Sequence, residues 1–168
     1  MEQLADTVIE DPRWEGFGLA PRADAAARAA FAELGLDPAG FAFCLMGCDD
    51  ARIAALNADF RGRPQPTNVL SWPSEDRAPD APGAMPRMPV PGTGGDPGEL
   101  GDIAIAFDTC AREAAEAGRP MEHHVAHLTV HGLLHLLGFD HVDDADAAVM
   151  ENLERRILAR LGIPDPYC

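Results

Sequence analysis

Hydrophobic residues along this chain fall into two rhythms. Short apolar runs bounded by turn residues, FAFCLMG (41–47), VLSW (69–72) and the weakly alternating LGDIAIAF (100–107), predict strands. Helical spacing marks five other stretches. RADAAARAAFAELG (22–35) is alanine-rich and stops at Gly35, and a second helix runs from Ala51 to Phe60 behind a cap at Asp49 or Asp50. DTCAREAAEAG (108–118) starts on a capping aspartate, Asp108, and ends at Gly118. Pro120 opens a long helix through Leu137, where Val125, Leu128, Leu133, Leu134, Leu136 and Leu137 are frequent enough to require burial. After Asp143 and Asp144, a last amphipathic helix turns Val149, Met150, Leu153, Ile157, Leu158 and Leu161 to the core, with Gly162 and Pro164 as terminators. Strands followed by helices, without an internal repeat, predict an α+β domain with a small mixed sheet packed by helices.

Residues 73–98 break this pattern. They hold seven of the fifteen prolines and five glycines with little apolar periodicity, so they are expected to form a mobile insertion on which no core depends. At 168 residues and 46% hydrophobic, the chain suits one domain over 1–168. It has no transmembrane run, and the acidic MEQLADTVIEDPRW start does not read as a signal peptide, so a cytoplasmic, membrane-free protein is expected. Cys44, Cys48, Cys110 and Cys168 form no C-x-x-C pair and read as thiols, with Cys44 and Cys110 as small buried hydrophobes. The net charge of −15 opposes broad binding to nucleic acid, because like charges repel and counterion release is lost. An RNA ligand would have to be held locally or presented by a partner.

The chemistry concentrates in HGLLHLLGFDH (131–141). At about 3.6 residues per turn, His131 and His135 stand on one helix face, and Gly138 permits the turn that swings His141 back toward them. Three neutral imidazoles leave a fourth position open, the arrangement of a catalytic zinc site for one Zn2+ ion. Three histidines around a turn glycine outweigh the bland alternative of core or surface residues in register. His127 lies one turn earlier, but ligands at 127, 131 and 135 would span about 12 Å, too far for bonds of about 2 Å; it is expected to support a ligand or face substrate. In metzincin peptidases a glutamate follows the first histidine as general base; here that place is Gly132, which argues against a peptidase. Spacing alone leaves peptides, amides and phosphodiesters open as substrates. Asp140 and Asp102 are candidates to orient a ligand histidine or assist proton transfer, although capping or turn formation explains either equally well.

LNADFRGRPQPTNVLSWP (56–73), LGDIAIA (100–106), EHHVAHLTVHGLLHLLGFDH (122–141) and MENLERRILARLGIPDPY (150–167) together resemble the YbeY family of metal-dependent endoribonucleases that mature ribosomal RNA. The resemblance covers most of the chain from Ala51 onward, in the family's order. It implies a zincin-like fold, His131, His135 and His141 as zinc ligands, and Arg61 as an arginine important for activity. A guanidinium beside an open metal position can grip a phosphate bidentately. Arg63 has the weaker claim. The chain departs from the family pattern at Asn68, where many members carry aspartate, at Phe139, where tyrosine is common, and in the longer 73–98 segment. The expected function is a zinc-dependent, single-strand-directed endoribonuclease in ribosomal RNA maturation and quality control, with the rRNA precursor, the small ribosomal subunit and its associated proteins as partners. Two alternatives are a metal-dependent peptidase or amide hydrolase, and a zinc-stabilised ribosome assembly factor with little catalysis.

Overall fold

The structure, a computed structural model, describes residues 4–93 and 96–167. Four strands form one mixed sheet: β1 (Ala5–Ile9), β2 (Phe41–Cys48), β3 (Val69–Pro73) and β4 (Gly98–Ala106), in the order β1-β2-β4-β3. β1 and β4 run parallel to β2, and β3 runs antiparallel to β4, so β3 is an open edge. The helices are α1 (Arg13–Phe17), α2 (Leu19–Leu34), α3 (Asp50–Arg61), α4 (Phe107–Ala117), α5 (Met121–Leu136) and α6 (Asp144–Arg160). This is the expected α+β architecture.

Alternation along β4 sorts the two faces of the sheet. Ile103 and Ile105 join the main core with α2, α5 and α6, whereas Ala104 and Ala106 pack with Ile53 of α3 on the other face. α5 is buried on most sides, with Val125, Leu128, Leu133, Leu134 and Leu136 all in the core. It lies on β3 and β4, and α2 and α6 pack over it. A helix so placed is held by tertiary packing rather than by propensity. Burying one Leu or Val side chain contributes about 1.5–3 kcal/mol, and α5 buries several.

Most predicted boundaries hold, and the exceptions have physical causes. Asp49 caps α3 by accepting from the Arg52 amide at 2.8 Å, and Asp143 caps α6 through the amides of Ala145 and Asp146. Asp108 does not cap α4. It pairs with Arg13 at 2.7 Å, while Asp50, from α3, accepts from the backbone amide of Thr109 at 3.0 Å. A tertiary partner thus supplies the cap. β1 and α1 carry too few apolar residues to announce themselves, yet Trp14 is fully buried and donates to the Cys48 carbonyl at 2.9 Å.

Residues 74–93 are irregular and largely exposed and supply no residue to the hydrophobic core, but they are tied to the body at Arg77. That side chain is 7% exposed and donates to the Leu136 carbonyl at the end of α5 at 2.9 Å. Ser74 donates to the carbonyls of Leu100 and Glu99, Gly83 donates to Asp146, and Gly92 donates to the Gly40 carbonyl, so the segment is tied to the body along its length. Backbone polar groups near a buried surface need partners, which periodicity does not reveal.

Candidate metal centre and its cleft

α5 presents His131 and His135 one turn apart, and Gly138 follows its end at φ +103°. A Cβ at Gly138 would lie 2.5 Å from the Arg77 carbonyl oxygen, so both conformation and space require glycine. The turn brings His141 back, and one ring nitrogen from each of the three histidines lies within 4.8 Å of the others.

Tautomers follow from the outer partners of two rings. His135 Nδ1 sits 3.0 Å from the Phe139 carbonyl and must donate to it, which leaves the lone pair on Nε2. His131 Nδ1 faces Glu154 Oε1 at 3.5 Å, a long contact of the same sense. The two Nε2 atoms therefore point their lone pairs at each other across 3.0 Å. Lone pairs so opposed repel unless a cation lies between them. Two nitrogens bound tetrahedrally to one ion with bonds of about 2.0–2.1 Å stand about 3.3 Å apart, close to what is found. Burial, then the neighbouring His131 and His141, push the His135 imidazolium down to about 4, which keeps this ring in its ligand form at neutral pH. The donor set fits a single divalent ion with an open position.

Glu154 lies behind this trio and was not anticipated. It is fully buried, accepts from Tyr167 Oη at 2.9 Å, and contacts His127 Nε2 at 2.5 Å. Burial alone would raise its carboxyl; the hydrogen bonds and charges of His127 and His131 overcome that and hold it at about 2. Burial and then the Glu154 charge push the Tyr167 phenol up. His127 is thus tied to the carboxylate that backs His131, in keeping with a supporting place rather than a place in the trio. The signal for Glu154 was present: it occupies the stripe Met150, Leu153, Ile157, Leu158, where a charge is out of pattern and asks for a partner.

The other predicted residues separate clearly. Arg61, at the end of α3, is exposed and lines both parts of the cleft, of about 620 and 320 Å³, together with His135 and His141. Arg63 is exposed outside that lining. Asp140 lies beside His141, accepting from its amide at 2.7 Å, and orients neither His131 nor His135. Asp102 is corrected: it is exposed on the α3 face with Ala104 and Ala106, opposite the metal helix. Strand alternation carries it away. Asn68 lines the cleft and donates to Glu113 at 3.0 Å, and Glu113 also meets His124 at 2.9 Å. Gly132 faces the sheet, where a Cβ would meet Ile103 at 3.2 Å, so this position packs the helix against β4.

Residues 22–162, which include the whole trio and Arg61, match the family described as Endoribonuclease YbeY. The chain belongs to the YbeY family. Relatives named Endoribonuclease YbeY include one from Jannaschia sp., 59% identical over 162 residues covering 96% of this chain and 98% of the relative. Another, from Ruegeria pomeroyi, is 61% identical over 163 residues and 96% of each chain. The chain is also similar in fold to the solution structure of TM1509 from Thermotoga maritima. The TM-score is 0.56 at 18% identity, covering 94% of this chain and 91% of the other.

Proposed function

We propose that this protein is a zinc-dependent endoribonuclease that cleaves single-stranded RNA, in ribosomal RNA precursors, during ribosome maturation. The observation that carries the reading is the convergence of two imidazole lone pairs, with His141 beside them, next to the guanidinium of Arg61 in one open cleft. Membership of a family whose members are named endoribonuclease supports the choice of phosphodiester over amide. So does Gly132, because a glutamate there would be pressed against Ile103 instead of reaching the ion.

His131, His135 and His141 would hold the zinc. A bound ion would supply Lewis acidity toward a phosphoryl oxygen and acidify a coordinated water. The chain's own residues do the rest. Arg61 offers a planar fork of donors to the non-bridging oxygens of the phosphate and opposes the charge that grows there. Glu154 accepts from His131 and fixes its tautomer, and the Phe139 carbonyl does the same for His135. Ser71 lines the same cleft and offers its hydroxyl to a bound nucleotide, while Asn68 beside it is held by Glu113 and the Val69 amide.

The acidic surface limits which RNA is taken. A charge of −15 repels bulk polyanion, so the rRNA precursor is presented within the small ribosomal subunit and its associated proteins, in the cytoplasm. Among the described residues no helix is long and apolar enough to cross a membrane. The deciding experiment measures bound metal and compares cleavage of single-stranded RNA and of casein by wild type, His135→Ala and Arg61→Ala. RNA cleavage lost in both variants supports the reading. Casein cleavage lost with His135 would replace it with a peptidase, and stoichiometric zinc without hydrolysis of either would leave an assembly factor.

A further inference from the structure

Phe60 is an exception to the packing of this protein. It is an aromatic residue 64% exposed, on the same face of α3 as the buried Ile53, and it meets Trp72 of β3 edge to face with ring centroids 5.4 Å apart. Trp72 is itself half-buried. The pair therefore leaves aromatic surface in water at the open edge of the sheet, where neither ring contributes its full burial energy.

Its position relates it to the cleft. Phe60 precedes Arg61, and consecutive Cα atoms lie about 3.8 Å apart. Trp72 stands between Ser71 and Pro73, both of which line the cleft, and alternation turns it to the opposite face of β3. The α3–β3 junction thus carries a cation on its cleft side and aromatic rings around the strand edge. Charge favours a phosphate on the cleft side alone: residues 61–74 contain Arg61 and Arg63 and no Asp or Glu, whereas Asp59 precedes Phe60 and the exposed Asp102 pairs with Trp72 across the strands, so the rings can offer a base their faces but no electrostatic attraction. Single-stranded nucleic acid is held in this way, with arginine on phosphate and an aromatic face under a base.

We infer that Phe60 and Trp72 form a stacking subsite for an unpaired nucleobase of the RNA whose phosphate Arg61 receives. The inference rests on the RNA-cleaving function proposed above and adds a reason for single-strand selectivity. A base held in a duplex stack cannot turn out to meet Phe60, whereas an unpaired one can. The contact is to the base face, so it tolerates sequence.

Trp72 is also the reporter. The chain has two tryptophans, and Trp14 is fully buried, so a base on the platform quenches Trp72 and leaves Trp14 unchanged. The test titrates the zinc-loaded protein with a single-stranded oligoadenylate and with an abasic oligomer of equal phosphate count. Cleavage of single-stranded RNA is followed in parallel. Expected is quenching by oligoadenylate alone, and affinity for it about fivefold to a hundredfold weaker in Phe60→Ala, with recovery in Phe60→Tyr and an unchanged melting temperature in both. Equal binding of the two oligomers by wild type overturns the subsite. So does unchanged oligoadenylate affinity in Phe60→Ala while wild type still cleaves RNA, the result expected if the pair instead covers a protein partner. Wild type that neither binds nor cleaves RNA overturns the functional reading as well, so the two failures are told apart.

Discussion

Replacing Glu154 with glutamine tests how far the proposed metal centre depends on a carboxylate outside the histidine trio. The carboxylate is fully buried and has three partners: His127 at 2.5 Å, Tyr167 at 2.9 Å and His131 at 3.5 Å. Glutamine keeps the shape, removes the charge, and turns an NH2 group toward partners that wanted an acceptor. Loss of an outer carboxylate behind a metal-bound histidine commonly lowers metal affinity by about 10–100-fold. The contact to His131 is the longest of the three, so the effect belongs at the lower end, about tenfold, or about 1.4 kcal/mol. Glu154→Ala behaves differently. It opens a cavity and strands His127 and the Tyr167 hydroxyl, for a loss of about 2–5 kcal/mol in folding stability. Zinc competition against a chromophoric chelator at neutral pH measures the first effect, and calorimetric melting of the metal-free protein measures the second. Wild-type zinc affinity in Glu154→Gln would refute the view that this carboxylate sets the state of His131.

Arg61→Ala is expected to lower RNA cleavage about 100-fold or more with zinc content unchanged, and Arg61→Lys to recover only part, because an ammonium lacks the planar fork; steady-state kinetics on a short RNA decide. Metal-free protein should lose stability as pH falls. His135 titrates near 6.5 when unfolded and near 4 when folded, so below about 6.5 the unfolded chain binds the extra proton, and about 3 kcal/mol is lost by pH 4. Denaturant melts across that window check the sign, and His135→Asn should flatten the curve. Gly132→Glu should destabilise by about 1–3 kcal/mol through overpacking against Ile103, plus the cost of a buried carboxylate, without creating casein cleavage. Arg77→Met should lower stability by about 1.5–3 kcal/mol by removing the donor on the Leu136 carbonyl, and should speed proteolysis within 74–93.

What could be read from the sequence followed from how local each signal was. Strands β2, β3 and β4 announce themselves because FAFCLMGC, VLSWP and the IAIA of β4 are apolar runs between turn residues. The trio was legible because helix period and the turn glycine place His131, His135 and His141 by local geometry alone. Glu154 lies 23 positions from His131, and no local rule pairs them, though its intrusion into the apolar stripe of α6 was a usable sign. Asp102 misled for the converse reason. It is near the site in sequence pattern but on the wrong face, and only strand register shows which. Asp108 looked like a cap until Arg13, 95 positions away, claimed it. The platform at Phe60 and Trp72 is likewise tertiary, joining the end of a helix to a strand that follows a loop.

Gly132 stands between the two ligands that share α5, and the absence of a side chain there brings that helix down onto Ile103 of a central strand. Two corners of the coordination triangle are thereby referenced to the hydrogen-bonded sheet, while the third, His141, hangs on an exposed turn. Heat and mild denaturant act unequally on such a tripod. If the trio holds an ion as proposed, His141 would be the first ligand to let go, while the sheet is still intact. On that proposal metal loss would precede unfolding, and the rate of metal exchange would report the mobility of one turn.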